Sequence, residues 1–131
     1  MSRYSLDLVK FLKQQRNFSL HAFGPNERTK GIVDHIKKEI KEIEKAETPG
    51  EKMNEFVDVV ILALDAMWRL GFSPEEIVVA IQLKQSLNIR RKWPDWRTVP
   101  ENEAVEHDRS QADTADPRMR LTLHDVKDIL K

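Results

Sequence analysis

Two helical segments joined by a short turn constrain the fold of this chain most. Apolar residues recur every three or four positions from Thr29 to about Ala46, and again from about Glu51 to Leu70. Between the segments, Thr48-Pro49-Gly50 breaks the helical pattern. A connection this short joins two antiparallel helices that lie side by side. The sequence therefore predicts a helical hairpin within an all-α fold.

Acidic residues lie symmetrically about this turn. Glu39 and Glu42 precede it, and Glu55 and Asp58 follow it. Each pair is spaced i, i+3 and so projects from one helical face, with Glu42 expected level with Glu55 and Glu39 level with Asp58. Four converging carboxylates repel one another unless a cation lies between them, and their oxygens suit Mg²⁺ or Mn²⁺. The pattern predicts a divalent metal site. The alternative is that the four acids are ordinary solvent-exposed residues on the surfaces of two helices.

Two further helices complete an antiparallel four-helix-type bundle. The first is expected from Tyr4 to about Arg16, followed by a loop from Ser19 to Gly31. The last begins at Ser73-Pro74-Glu75-Glu76, where serine can cap the helix, proline fits its first position and Glu76 completes a capping box. This helix is expected to run to about Arg91.

The chain becomes polar after the last predicted helix. From Pro100 to about Arg120 it has almost no aliphatic residues, which is typical of a linker or an extended arm. Thr122 and Asp125 form a capping box for a short helix from Leu123 to Leu130. We therefore expect a helical domain over residues 1–99 and a polar arm with a short final helix over residues 100–131.

The composition excludes several kinds of partner and chemistry. The 22 basic residues balance the 22 acidic ones, so no net charge indicates polymeric nucleic acid or a membrane surface as a partner. The absence of cysteine excludes disulfides and thiolate sites. The longest apolar run, Val59 to Leu64, is too short to span a membrane, and the N-terminus lacks a signal-like apolar stretch. A cytoplasmic protein is expected.

The second segment of the hairpin also predicts self-association. It is apolar around most of its circumference, and a helix of this kind needs neighbours on several sides. A single chain of 131 residues with a polar tail supplies few of them. We therefore expect a homo-oligomer, a dimer or a tetramer, that buries part of this helix.

The acidic hairpin resembles a known family. Glu39-Ile-Lys-Glu42, a gap of twelve residues and Glu55-Phe-Val-Asp58 are similar to the metal motif of the MazG-like all-α nucleotide pyrophosphohydrolases, EExxE followed by ExxD. The first glutamate of that motif is Lys38 here. Other blocks, between about Phe18 and Ser110, resemble the phage and bacterial dATP/dGTP diphosphohydrolase branch: Phe23-Gly-Pro, Arg28-Thr-Lys-Gly31, Asp34-His35-Ile36, Asp58-Val-Val-Ile-Leu-Ala-Leu-Asp65 and Lys92-Trp-Pro-Asp-Trp-Arg97.

The resemblance implies a reaction and a metal site. The reaction is hydrolysis of purine deoxynucleoside triphosphates, dGTP and dATP, to the monophosphate and pyrophosphate, in a bacterial or phage-infected cytoplasm. The implied ligands of Mg²⁺ or Mn²⁺ are Glu39, Glu42, Glu55 and Asp58. A carboxylate of the site, Glu42 or Glu39, would orient or deprotonate the attacking water.

Substrate contacts are expected from basic, polar and aromatic residues. Lys84, Asn88 and Arg91 follow one helical face and could bind the triphosphate, as could Arg28 and Lys30 near a helix N-terminus. A solvated helix face is the ordinary alternative. Three more candidates are His35, one turn before Glu39; Asp65, whose simplest partner is Arg69 at i+4; and Trp93, which could stack on a base or close the bundle.

Two other functions are compatible with this sequence. An all-α dUTP or dCTP hydrolase would use a similar carboxylate site and differ in base preference. A non-enzymatic helical interaction or regulatory protein would carry the same acids as surface residues and would release no pyrophosphate.

Overall fold

The computed structural model describes residues 3–109 and shows a chain built from helices. The described part contains no β-strand, so the predicted all-α class with four helices is confirmed. Among the described residues, every helix is too short or too polar to span a lipid bilayer. The helices are α1 (Leu8–Phe23), α2 (Thr29–Lys45), α3 (Pro49–Arg69) and α4 (Pro74–Arg90), followed by a short 3-10 helix (Trp96–Thr98).

The described part of the chain divides into two compact units between Ile77 and Val78. The first unit contains α1, α2, α3 and the start of α4, and α3 is its central helix because it packs against both α2 and α1. The second unit contains the rest of α4 and the segment that follows it. The predicted domain boundary after residue 99 stays a prediction. The predicted final helix, Leu123 to Leu130, lies outside the described residues.

The α1 helix extends beyond its predicted end at Arg16. It begins after Asp7, whose carboxylate accepts a hydrogen bond from the first turn, and it continues to Phe23. No helix-breaking residue occurs before Gly24, which ends the helix with a φ of +80°, a value that favours glycine. Ser19, which is 2 % exposed, holds the added turns against the interior. The loop predicted from Ser19 therefore starts later.

The α3 helix begins at Pro49 rather than at the predicted Glu51. Thr48 is its N-cap: the Thr48 hydroxyl accepts a hydrogen bond from Glu51 N at 3.2 Å, and the Glu51 carboxylate accepts one from Thr48 N at 3.4 Å. Pro49 fits the first turn because no N–H is needed there. The segment predicted as a helix break is therefore a capping box that starts α3, and residues 46–48 form the whole connection to α2.

The start of α4 agrees with the sequence. Ser73 Oγ accepts a hydrogen bond from Glu76 N at 3.1 Å, and Glu76 Oε1 accepts one from Ser73 N at 2.9 Å. The predicted capping box is confirmed. Gly71, with a φ of +101°, separates this cap from α3.

Candidate metal centre

Three of the four symmetric acids meet between α2 and α3. A carboxylate oxygen from each of Glu39, Glu55 and Asp58 lies within 4.8 Å of the other two, and all three residues are half-buried. Glu39 comes from α2, whereas Glu55 and Asp58 come from successive turns of α3. The packed antiparallel hairpin therefore brings these three acids together.

The fourth acid, Glu42, is exposed and lies outside this group. The sequence placed it level with Glu55, but Glu55 pairs with Glu39 instead. The reason is the early start of α3, which centres the connection on Glu47, eight residues from both Glu39 and Glu55. The predicted roles of Glu42 as metal ligand and as base stay predictions.

The crowded carboxylates raise the pKa of Glu55 above its ordinary value. The largest cause is a hydrogen bond with the Glu39 carboxyl, and desolvation and the negative charges of Glu39 and Asp58 add to it. In the described part of the chain, no lysine or arginine forms an ion pair with any of these three acids. Neither a lysine nor an arginine therefore offsets the charge of the group, and a hard divalent cation fits a set of carboxylate donors of this kind.

The side chain of His35 connects to this group through Glu39. His35 Nε2 lies 3.2 Å from Glu39 Oε1 on the next turn of α2, so the imidazole holds the carboxylate in place. Lys38, the departure from the family motif, pairs with Asp34 at 3.4 Å on the exposed side of the helix. The lysine is therefore directed to solvent.

A buried ion pair lies further along α3. Arg69 Nε donates to Asp65 Oδ2 at 2.9 Å, which confirms the predicted i, i+4 pair. Arg69 also donates to Ser19 Oγ at 2.8 Å and to the carbonyls of Gly24 and Asn26 at 2.9 and 3.0 Å. One guanidinium thus ties the end of α1 and the following loop to α3, and its burial is a tertiary feature that the sequence pattern did not indicate.

A cavity of about 240 Å³ lies among α1, α2 and α3, and its lining includes His35, the neighbour of Glu39. Three predicted substrate residues, Arg28, His35 and Asp65, line it, whereas Lys30 is exposed and is not part of its lining. Gln15, which no sequence pattern indicated, also lines the cavity and donates a hydrogen bond to the Ile61 carbonyl on α3 at 2.7 Å. Most of the remaining wall is apolar: Phe18, Phe23, Ile32, Ile61 and Leu62.

The other predicted substrate residues lie in the second unit. Asn88 Oδ1 accepts a hydrogen bond from Arg91 Nη1 at 3.0 Å, and the Asn88 carbonyl accepts one from Trp93 Nε1 at 2.7 Å. The Trp93 ring meets His107 edge-on, with 5.6 Å between centroids. Lys84 is exposed on α4. The predicted contacts of these residues with phosphate or base stay predictions.

Comparison with known families adds an independent observation. A family model described as dATP/dGTP pyrophosphohydrolase matches residues 11–114, which include the three clustered acids and the whole cavity. No curated protein and no solved structure matches the chain.

Replacing Glu55 with glutamine should raise the melting temperature of the metal-free protein at neutral pH, because it removes repulsion among the acids. The folded-state pKa of Glu55 is raised above its ordinary value of 4.5. Protonated Glu55 therefore contributes stability that is fully present when the pH is below that ordinary value. That contribution is lost as the pH rises through the folded-state pKa. Calorimetry in EDTA should show a small difference from wild type at about pH 4 and a larger one at about pH 7.

Glu44→Gln is the matched control, because Glu44 is an exposed acid on α2 outside the cluster. It should leave the melting temperature almost unchanged at both pH values. A Glu55→Gln protein that melts below wild type at neutral pH would contradict the repulsive cluster.

Proposed function

Because the chain belongs to the dATP/dGTP pyrophosphohydrolase family, we propose that it hydrolyses dGTP and dATP to the monophosphate and pyrophosphate with the help of Mg²⁺ or Mn²⁺. Members of this family are nucleoside triphosphate diphosphatases, so the chain is an enzyme of that class. The observation that carries the metal dependence is the convergence of Glu39, Glu55 and Asp58. The deoxynucleotide pool of a bacterial or phage-infected cytoplasm is the proposed setting.

The clustered acids have a defined part in this reaction. Glu39, Glu55 and Asp58 would hold the cation, and His35 keeps the Glu39 carboxylate in position. When bound, a divalent cation would neutralise charge on the phosphate oxygens and activate the attacking water. To form these products, the oxygen of water bonds to the α-phosphorus. The bond between that phosphorus and the oxygen that bridges it to the β-phosphorus breaks, and pyrophosphate leaves.

The proton of the attacking water needs an acceptor. Glu42 is the proposed one, since its exposed carboxylate lies one turn from Glu39 and outside the cluster. Glu39 is the second candidate, although its place among the proposed metal ligands leaves it less available to take a proton.

The triphosphate needs positively charged contacts in addition to the cation. Lys84, Asn88 and Arg91 are proposed for this role, together with Arg28 and Lys30; Trp93 is proposed to contact the substrate. Arg91 offers a specific observation: its buried Nε donates to no acceptor among the described residues. A phosphate oxygen would satisfy that donor.

We also propose that the exposed apolar face of α3 binds a second copy of the chain. Met53, Phe56 and Val60 follow one face at i, i+3 and i+7, and 66 %, 55 % and 57 % of their surfaces are exposed. A contiguous apolar face of this kind is unfavourable in water and marks an interaction site. A dimer or a tetramer would bury it.

An assay of the canonical deoxynucleoside and nucleoside triphosphates with Mg²⁺ tests the reaction and its base preference together. The measured product is pyrophosphate. We expect dGTP and dATP to exceed dUTP and dCTP, and EDTA to stop the reaction. Glu55→Gln should lower kcat/KM by at least about a hundredfold because it removes a proposed ligand.

The Glu44→Gln protein should retain its activity in the same assay. Full turnover by Glu55→Gln would refute the metal assignment. A preference for dUTP or dCTP would instead identify the pyrimidine-specific rival.

Light scattering coupled to gel filtration should show that Val60→Glu lowers the molar mass of the protein to that of one chain, because a charge in the apolar contact costs association energy. Ile89→Glu is the control, since Ile89 is even more exposed, at 74 %, but lies on α4. A wild-type protein that is already a single chain would contradict the proposed interface.

A further inference from the structure

Two residues that line the cavity each carry a buried, unpaired oxygen. They are Gln15 Oε1 and Asp65 Oδ1, and neither accepts a hydrogen bond from the described residues. An acceptor buried in this state loses its bonds to water without gaining any from the protein. A ligand that donates hydrogen bonds into the cavity would recover this loss.

The position of each oxygen is fixed by a hydrogen bond of the other polar atom in the same side chain. Gln15 Nε2 donates to the Ile61 carbonyl at 2.7 Å, and because a carbonyl can only accept, the orientation of the amide is fixed. Asp65 Oδ2 accepts from Arg69 Nε at 2.9 Å, and the Arg69 side chain is itself 99 % buried. The two acceptors are therefore preorganised rather than mobile.

The size and walls of the cavity suit a flat ring. Its volume of about 240 Å³ is below the roughly 300–1,000 Å³ typical of sites for drug-sized ligands, so it fits a part of a nucleotide rather than the whole. Phe18 and Phe23 pack edge to face, with 6.0 Å between centroids, and both keep exposed ring surface. Aromatic surface of this kind binds the faces of nucleobases.

One residue, His35, connects the cavity to the acids. His35 lines the cavity and lies 3.2 Å from Glu39 of the carboxylate group. A base in the cavity would therefore place its sugar near His35 and its phosphates at the acids.

The hydrogen-bonding pattern of the cavity distinguishes among purines. Guanine presents two adjacent donors, N1–H and the 2-amino group, whereas adenine presents one donor next to an acceptor, and unsubstituted purine presents only acceptors on that edge. We propose that the cavity binds the base of the substrate and that Gln15 and Asp65 accept hydrogen bonds from it, so that guanine is preferred. This inference rests on the proposed function and specifies which residues read the base.

The test compares dGTP with 2′-deoxypurine riboside triphosphate, whose base keeps the fused ring but lacks the 6-oxo group, the 2-amino group and the N1–H donor. For wild type we expect kcat/KM to favour dGTP by at least about tenfold, the value of about one or two buried hydrogen bonds. Gln15→Met should reduce that preference about fivefold, because it removes one acceptor.

Gln14→Met is the matched control, since Gln14 is the exposed neighbour of Gln15 on α1. It should leave the preference unchanged. Equal kcat/KM values for the two substrates in wild type would overturn the inference. So would an equal loss for both substrates in Gln15→Met, which would show that Gln15 only supports the fold.

A binding measurement separates this inference from the proposed reaction. Titration calorimetry in EDTA, with dGMP and 2′-deoxypurine riboside monophosphate, needs neither metal nor turnover. Tighter binding of dGMP that depends on Gln15 would support the inference even if no triphosphate were hydrolysed. Hydrolysis of dGTP without any preference between the two monophosphates would retain the enzyme and reject the base contacts.

Discussion

The antiparallel contact between α2 and α3 is the constraint on which the rest of the structure depends. A connection of only three residues, closed by the Thr48 capping box, sets which turns of the two helices face each other. With that pairing, Glu39 meets Glu55 and Asp58. The repulsion among these acids is a cost that packing of the hairpin must offset, and a divalent cation would turn it into attraction.

The Arg69 side chain fixes the relative positions of the elements that line the cavity. Its guanidinium joins Asp65 on α3 to Ser19 on α1 and to the loop before α2. A charge buried this deeply is tolerated only with such a complete set of partners. By pairing with one oxygen of Asp65, Arg69 fixes the carboxylate, while the other oxygen has no hydrogen-bond partner among the described residues.

The sequence predicted local structure well and tertiary contacts less well. The bounds of α2 were correct to within one residue, because a Gly-Pro turn and the Thr48-Pro49-Gly50 segment enclose it. The pairing across the hairpin was shifted because Thr48-Pro49-Gly50-Glu51 was interpreted as a break, although it also fits a capping box. Gln15 could not have been identified, because its contact with Ile61 spans 46 residues and no local pattern encodes it.

Direct binding of Mn²⁺, followed by electron paramagnetic resonance, tests most simply whether Glu39, Glu55 and Asp58 form a divalent metal site. Titration of the wild-type protein should convert the spectrum of free Mn²⁺ to that of the bound ion. Asp58→Asn should weaken this binding by about tenfold or more, whereas Glu44→Gln should not. The same Mn²⁺ affinity in wild type and Asp58→Asn would contradict a metal site at these three acids.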